Sequence, residues 1–154
     1  FSHRLEELGL HEGELVDLAF RPQINEYRGN VSVQLVASAM RRHDPKALCE
    51  AILSQKEGAL WAASRYCPER PDFVRLWRSM DKGYTVARDT AHVIGQCLAG
   101  MEPERFCLCL MALLETGLLK SPDGSIFSAA PADIPGKADL EGTKLMRTLH
   151  SYMA

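Results

Sequence analysis

Five histidines (His3, His11, His43, His92 and His150) and five cysteines (Cys49, Cys67, Cys97, Cys107 and Cys109) are the natural raw material of a metal or nucleophilic centre. Their spacing does not build one. No histidine shares an element with a second histidine or a carboxylate at ligand spacing, as an H-E-x-x-H helix would provide. His92 lies among Ala91, Val93 and Ile94, where a surface or hydrogen-bonded histidine is expected. Cys107 and Cys109 form a C-x-C, but helical residues two apart point about 200° from each other, which is poor geometry for sharing one ion. An odd cysteine count without disulfide-like spacing implies thiols used as small core hydrophobes in a reducing, cytoplasmic setting. The carboxylates Glu6-Glu7, and Asp139 with Glu141, read as solvated faces or helix-start charges. Gly9 and Gly13 flank a charged turn rather than ending a strand, so no phosphate-cradling loop follows, and a nucleophile elbow is also missing. The chain is expected to be non-catalytic.

Residues that can bind rather than react cluster in one place. Asn25, Tyr27, Arg28, Gln34, Arg41 and Arg42 fall within 18 positions and mix cationic, aromatic and amide side chains. Cations that follow a phosphate backbone and aromatics that stack on bases are the chemistry of single-strand binding. Each also has a plainer use. Tyr27 suits packing on a cross-strand neighbour, Asn25 and Gln34 suit sheet hydrogen bonds, and Arg41-Arg42 suits a solvated linker. Charge argues for local contact only. Residues 1–44 carry five Arg against seven Asp or Glu, while residues 45–154 carry thirteen basic and thirteen acidic residues. Neither part is the strongly basic body of a stand-alone DNA binder.

The elements that position these residues follow from periodicity. Leu15–Phe20 and Val31–Val36 read as two strands, the second alternating over most of its length. The N-E-Y-R-G-N between them should turn at Gly29 and Asn30, which tolerate positive φ. A lone hairpin is marginal in water, so this one should need further strands or a neighbour. Asp44-Pro45 opens a helix, with Leu48, Ile52 and Leu53 as its apolar stripe. Phe73, Leu76, Trp77 and Met80 predict one buried helical face ended by Gly83. Val86 to Leu98 predicts a second helix, closed by Gly100, and Pro103 to Leu114 a third, apolar on nearly all sides and stopped by Gly117. In that third helix Glu102, Glu104, Arg105 and Glu115 should lie outside the apolar face. A short hairpin around Ser121–Gly124 and a last helix from about Asp139 complete the chain.

The runs D-L-A-F at 17–20, I-N-E-Y-R-G at 24–29 and V-Q-L at 33–35 together resemble the closing hairpin of the oligonucleotide-binding domain of RecJ-type exonucleases. A second stretch is similar to the C-terminal domain of Firmicute members of that family. It consists of C-P-E-R-P-D-F-V-R-L-W at 67–77, L-L-E-T-G-L-L at 113–119 and K-A-D-L-E-G-T at 137–143. The resemblance implies an accessory C-terminal region of a 5′-to-3′ single-stranded-DNA exonuclease of repair and recombination. Its Mn²⁺ or Mg²⁺ would be held by Asp and His residues in domains N-terminal to this chain, and no D-H-H motif is present here. The expected fold is α+β, mostly α. Residues 1–43 would be a β-hairpin from an incomplete OB-like barrel, 44–70 a helical connector, and 71–154 a winged-helix-like domain.

The expected partners are single-stranded DNA, bound weakly by this piece alone, and a repair protein or the parent's own catalytic core. No cofactor is expected within the chain, and no membrane contact, since no apolar run approaches the ~20 residues that span a bilayer. A start at Phe1 without a signal-peptide pattern reads as a fragment excised from a longer protein. The alternative is a free-standing winged-helix module for transcriptional regulation or protein–protein interaction. Against major-groove insertion stands the third helix, whose non-apolar positions are net acidic.

Overall fold

The computed structural model describes residues 9–11, 14–80, 86–87, 89–133 and 136–154. His3, Glu6, Glu7, Gly13 and Gly83 lie outside them. The fold is α+β, with six α-helices and two small antiparallel sheets among the described residues. It divides into two compact units, Phe1–Asp44 and Pro45–Ala154.

In the first unit, β1 (Val16–Tyr27) pairs with β2 (Asn30–Arg42) as a two-stranded ribbon. Both strands run well beyond the apolar segments that announced them. The turn is Arg28-Gly29, with φ of 50° and 79°, and not Gly29-Asn30. Positive φ at both central residues is the mark of a type I′ hairpin turn, and Asn30 already pairs with Tyr27. Counting outward from that closing pair, Pro22↔Leu35 is a non-hydrogen-bonded pair. Pro22 therefore lacks its N–H only on the ribbon's open edge, where a strand tolerates it. The register skips Ser38 between Ala39 and Ala37, a bulge at Ala19/Phe20, and the Ser38 hydroxyl donates to the Ala19 carbonyl at 3.1 Å.

The second unit begins with α1 (Pro45–Leu53), started by proline at its first position and burying Cys49, Ile52 and Leu53. A short α2 (Ala59–Ala63) leads through one 3₁₀ turn (Ser64–Tyr66) to α3 (Arg70–Ser79). The segment 44–70, expected as a connector, thus supplies Cys49, Ile52, Leu53, Ala63 and Tyr66 to the core. At the start of α3 the Asp72 carboxylate accepts the Glu69 N–H at 2.9 Å, half of a capping box. Phe73 and Leu76 are buried, but Trp77 stays 38% exposed.

The third segment departs from its expected boundaries. Val86 and Ala87 form β3, paired with Ala129 and Ser128, rather than opening a helix. The helix α4 (Thr90–Gly95) starts where the Asp89 carboxylate accepts the His92 N–H at 2.9 Å. Pro103 opens α5 (Pro103–Glu115), as expected, and Gly117 at φ 76° follows it. Phe106 to Leu113 are all buried, so α5 is the central helix of the unit. Glu104 is only 2% exposed and belongs to the buried side of α5, a correction to its expected place outside the apolar face.

Strands β4 (Leu119–Lys120) and β5 (Ser128–Pro131) complete a sheet ordered β3-β5-β4. The loop between them is organised by Asp123, whose carboxylate takes hydrogen bonds from Ser121 (2.6 Å), Ser128 and the Ser125 N–H (2.9 Å). The last helix, α6 (Lys144–Met153), begins five residues later than Asp139. Its start is set by Thr143, whose hydroxyl accepts the Met146 N–H at 3.2 Å. Glu115 at the end of α5 accepts the free N–H groups of Lys144 and Leu145, the latter at 3.1 Å.

Candidate nucleic-acid interface

Alternation along paired strands sorts the ribbon into two faces. One carries Val16, Leu18, Phe20 and Ile24 of β1 with Val31, Val33 and Leu35 of β2. These seven side chains are 39–78% exposed within the unit. The other face carries Asp17, Gln23, Asn25 and Tyr27 opposite Arg41, Gln34, Ser32 and Asn30. The ribbon therefore has a mainly apolar face, interrupted by Glu26 near the tip and Arg42 at the base, and a mainly polar one that also carries Ala19, Val36 and Ala39.

The six residues singled out for binding do not all share a face. Asn25, Tyr27, Gln34 and Arg41 lie on the polar face, with Gln34 directly opposite Gln23. Arg28 sits at the turn, its guanidinium 5.2 Å from the centre of the Tyr27 ring, which makes a cation–π pair at the tip. Arg42 alternates onto the apolar side at the base. There it donates to the Gly9 carbonyl at 2.7 Å and pairs with Glu14 at 3.2 Å.

Arg41 is engaged as well. Its Nε lies 3.0 Å from Asp17 Oδ2, and His43 Nδ1 lies 3.0 Å from Asp17 Oδ1. The His43 hydrogen bond, opposed by burial and supported by Arg41, holds the Asp17 carboxyl below its ordinary range. Among the described residues Arg28 has no carboxylate partner, which leaves at the tip a cation beside an exposed aromatic ring.

Asp17 and His43 form a carboxylate–imidazole pair that residue spacing alone concealed, since they are 26 positions apart. The signal was in the pairing. Counting back from the Arg28-Gly29 turn alone brings Asp17 opposite Met40, and the Ser38 bulge moves it one place on, opposite Arg41 and next but one to His43. Such a pair orients an imidazole, but here it closes the base of the ribbon, where the His43 N–H also donates to the Leu15 carbonyl at 3.0 Å.

In the second unit, Cys49, Cys107 and Cys109 are fully buried; a hydrogen bond with Cys49, and after it burial, pushes the Cys107 thiol far above its ordinary range, and burial does the same to Cys109. They are core side chains rather than nucleophiles. Among the described residues no group of three or more His, Cys, Asp or Glu side chains is placed to hold a metal ion. No helix among them is long and apolar enough to cross a membrane. Comparison of the chain with family models, with curated proteins and with solved structures returns no match.

Proposed function

We propose that the chain is the non-catalytic C-terminal accessory region of a RecJ-like 5′-to-3′ exonuclease, in which the ribbon helps position single-stranded DNA in the cytoplasm and the helical unit docks a partner. The observation that carries the DNA reading is the tip of the ribbon. A non-glycine residue at positive φ costs about 1 kcal/mol that glycine or asparagine would avoid. The chain nevertheless places Arg28 there, stacked on Tyr27, with Asn25 and Gln34 on the polar face behind it. That arrangement suits phosphate contact at the tip and base stacking beside it.

Further support comes from each unit. A long bulged ribbon with one mainly apolar face suits a wall of an OB-like barrel, its apolar side turned to the interior. The helix–strand–helix–helix–strand–strand order from α3 to β5, with the third strand lying between the other two, suits a winged helix. The same order would serve a free-standing winged-helix regulator. The burial of α5 favours docking over that reading, because it leaves no polar helix face to enter a major groove. The parent family's Mn²⁺ or Mg²⁺ belongs to domains outside this chain.

The test is fluorescence anisotropy of a labelled oligo(dT) against the 154-residue chain over a salt series. Weak, salt-sensitive binding is expected, and Arg28→Ala should lower the slope of log K on log salt by roughly one phosphate contact. An unchanged slope and affinity would remove Arg28 from the interface. Mn²⁺-dependent degradation of the oligonucleotide by the purified chain would sink the non-catalytic reading.

A further inference from the structure

In the second unit a groove of about 620 Å³ opens between α3, the C-terminal end of α5 and residues 137–141. Its floor is apolar, formed by Phe73, Leu113, Leu118 and Leu140. Arg70, Val74, Trp77 and Arg78 recur at i, i+4, i+7 and i+8 and so line it from a single face of α3. Val74 and Trp77 are 40% and 38% exposed, unusual for two adjoining large apolar side chains on a packed helix. Arg70, Arg78 and Lys137 complete the rim, and none has an ion-pair or hydrogen-bond partner among the described residues. The two acidic rim residues are turned to their own neighbours. Asp139 accepts the Gly142 N–H at 2.9 Å, and Glu141 lies 3.9 Å from His150.

The groove therefore offers an apolar slot with uncommitted cations at both ends of α3, about 12 Å apart along the helix axis. Two chemistries pair negative charge with something flat or apolar, a nucleotide and an acidic peptide. The floor separates them. A nucleobase seated there would bury its ring nitrogens and carbonyls against four hydrocarbon side chains, leaving them without partners. An aliphatic or aromatic side chain loses nothing in the same place. Trp77 and the flanking arginines are also the residue types that anchor peptide interfaces.

We propose that this groove docks a short acidic segment of another protein, which inserts one or two large apolar side chains over Leu140 and Leu113 while its carboxylates meet Arg70, Arg78 and Lys137. The site gives the docking role of the helical unit a location and a ligand class. It rests on the accessory-region reading for that role, though not for its chemistry.

The experiment titrates the whole chain into a fluorescein-labelled ten-residue peptide of aspartate and glutamate carrying one leucine and one phenylalanine. Saturable binding is expected, weakened at least tenfold by Val74→Asp and by the double change Arg70→Glu/Arg78→Glu. All three positions are exposed, so both variants should keep the wild-type circular dichroism. The double variant should instead bind a lysine version of the peptide. Replacing the peptide's leucine and phenylalanine by serine should abolish binding. Equal affinity of the serine peptide, no effect of the variants, or no binding at all would each overturn the proposal. So would oligo(dT) binding lost in the double variant, which would make the groove a nucleic-acid site. Loss of oligo(dT) binding in Arg28→Ala alone bears only on the ribbon.

Discussion

Asp17 accepts hydrogen bonds from two cationic or ionisable side chains at once, Arg41 and His43, each at 3.0 Å. Because these favour its charged form, the carboxyl titrates lower in the ribbon than in an unfolded chain, where an aspartate titrates near about 3.9. A group with a depressed folded value stabilises fully above its unfolded value and loses that contribution as pH falls through the folded one. The base of the ribbon should therefore be held through neutral and mildly acidic pH and loosen below about pH 4. Amide exchange of Leu15 to Asp17 and of Arg41 to His43 reads this directly. Protection there should fall as the buffer is acidified, while Asp17→Asn should show low protection at every pH. Unchanged protection in Asp17→Asn would mean the ladder alone closes the base. Asp123 titrates in the same sense, its carboxyl held down at about 2 by the Ser121 and Ser128 hydroxyls, so its loop should keep its form to more acid pH than the ribbon does.

At the scale of elements, the ends that sequence marks most sharply are those with stereochemical punctuation. Pro103 and Gly117 bracket α5 because a proline has no N–H to lose at a helix start and a glycine reaches positive φ without strain. Val86 was legible only as the first apolar residue of a helix, because its strand character comes from pairing with Ala129, 43 positions away. Trp77 fits the helical stripe of α3 but not its burial, since it lines an open groove and the described residues cover it only in part. In the ribbon, the residue types of the candidate interface were visible in the sequence. The division between a committed base and a free tip was not, because it depends on register and on the Ser38 bulge. The start of α6 illustrates the same limit. Leu140 suggests an earlier beginning, but Thr143 and the distant Glu115 between them satisfy the first N–H groups and place it at Lys144. Thr143→Ala should cost about 1 kcal/mol, the usual value for a lost N-cap hydroxyl. Glu115→Ala should cost a comparable amount, although it sits on another helix. Chemical denaturation of both variants checks this, and a Glu115→Ala chain as stable as wild type would show that solvent replaces the carboxylate at that helix end.

The whole molecule divides its stability unevenly. The second unit owns a continuous core from Cys49 to Leu149 with α5 at its centre, whereas the ribbon has two strands and an exposed apolar face. Hydrophobic burial scales with apolar area removed from water, so nearly all of it in this chain belongs to residues 45–154. A two-stranded ribbon gains little by comparison. A chain trimmed to residues 45–154 should accordingly keep the helical circular dichroism and unfold in one cooperative transition within a few degrees of the full chain. It should also bind less of a hydrophobic dye such as anilinonaphthalene sulfonate, because Ile24, Val31, Val33 and Leu35 are gone. The acidic peptide should bind the trimmed chain as it binds the whole one, since Arg70, Trp77 and Arg78 and the floor beneath them lie within the second unit. A trimmed chain that fails to fold would mean that the core of residues 45–154 is not sufficient by itself. If it folds but no longer takes the peptide, the groove of the second unit does not carry the binding, and the docking proposal falls.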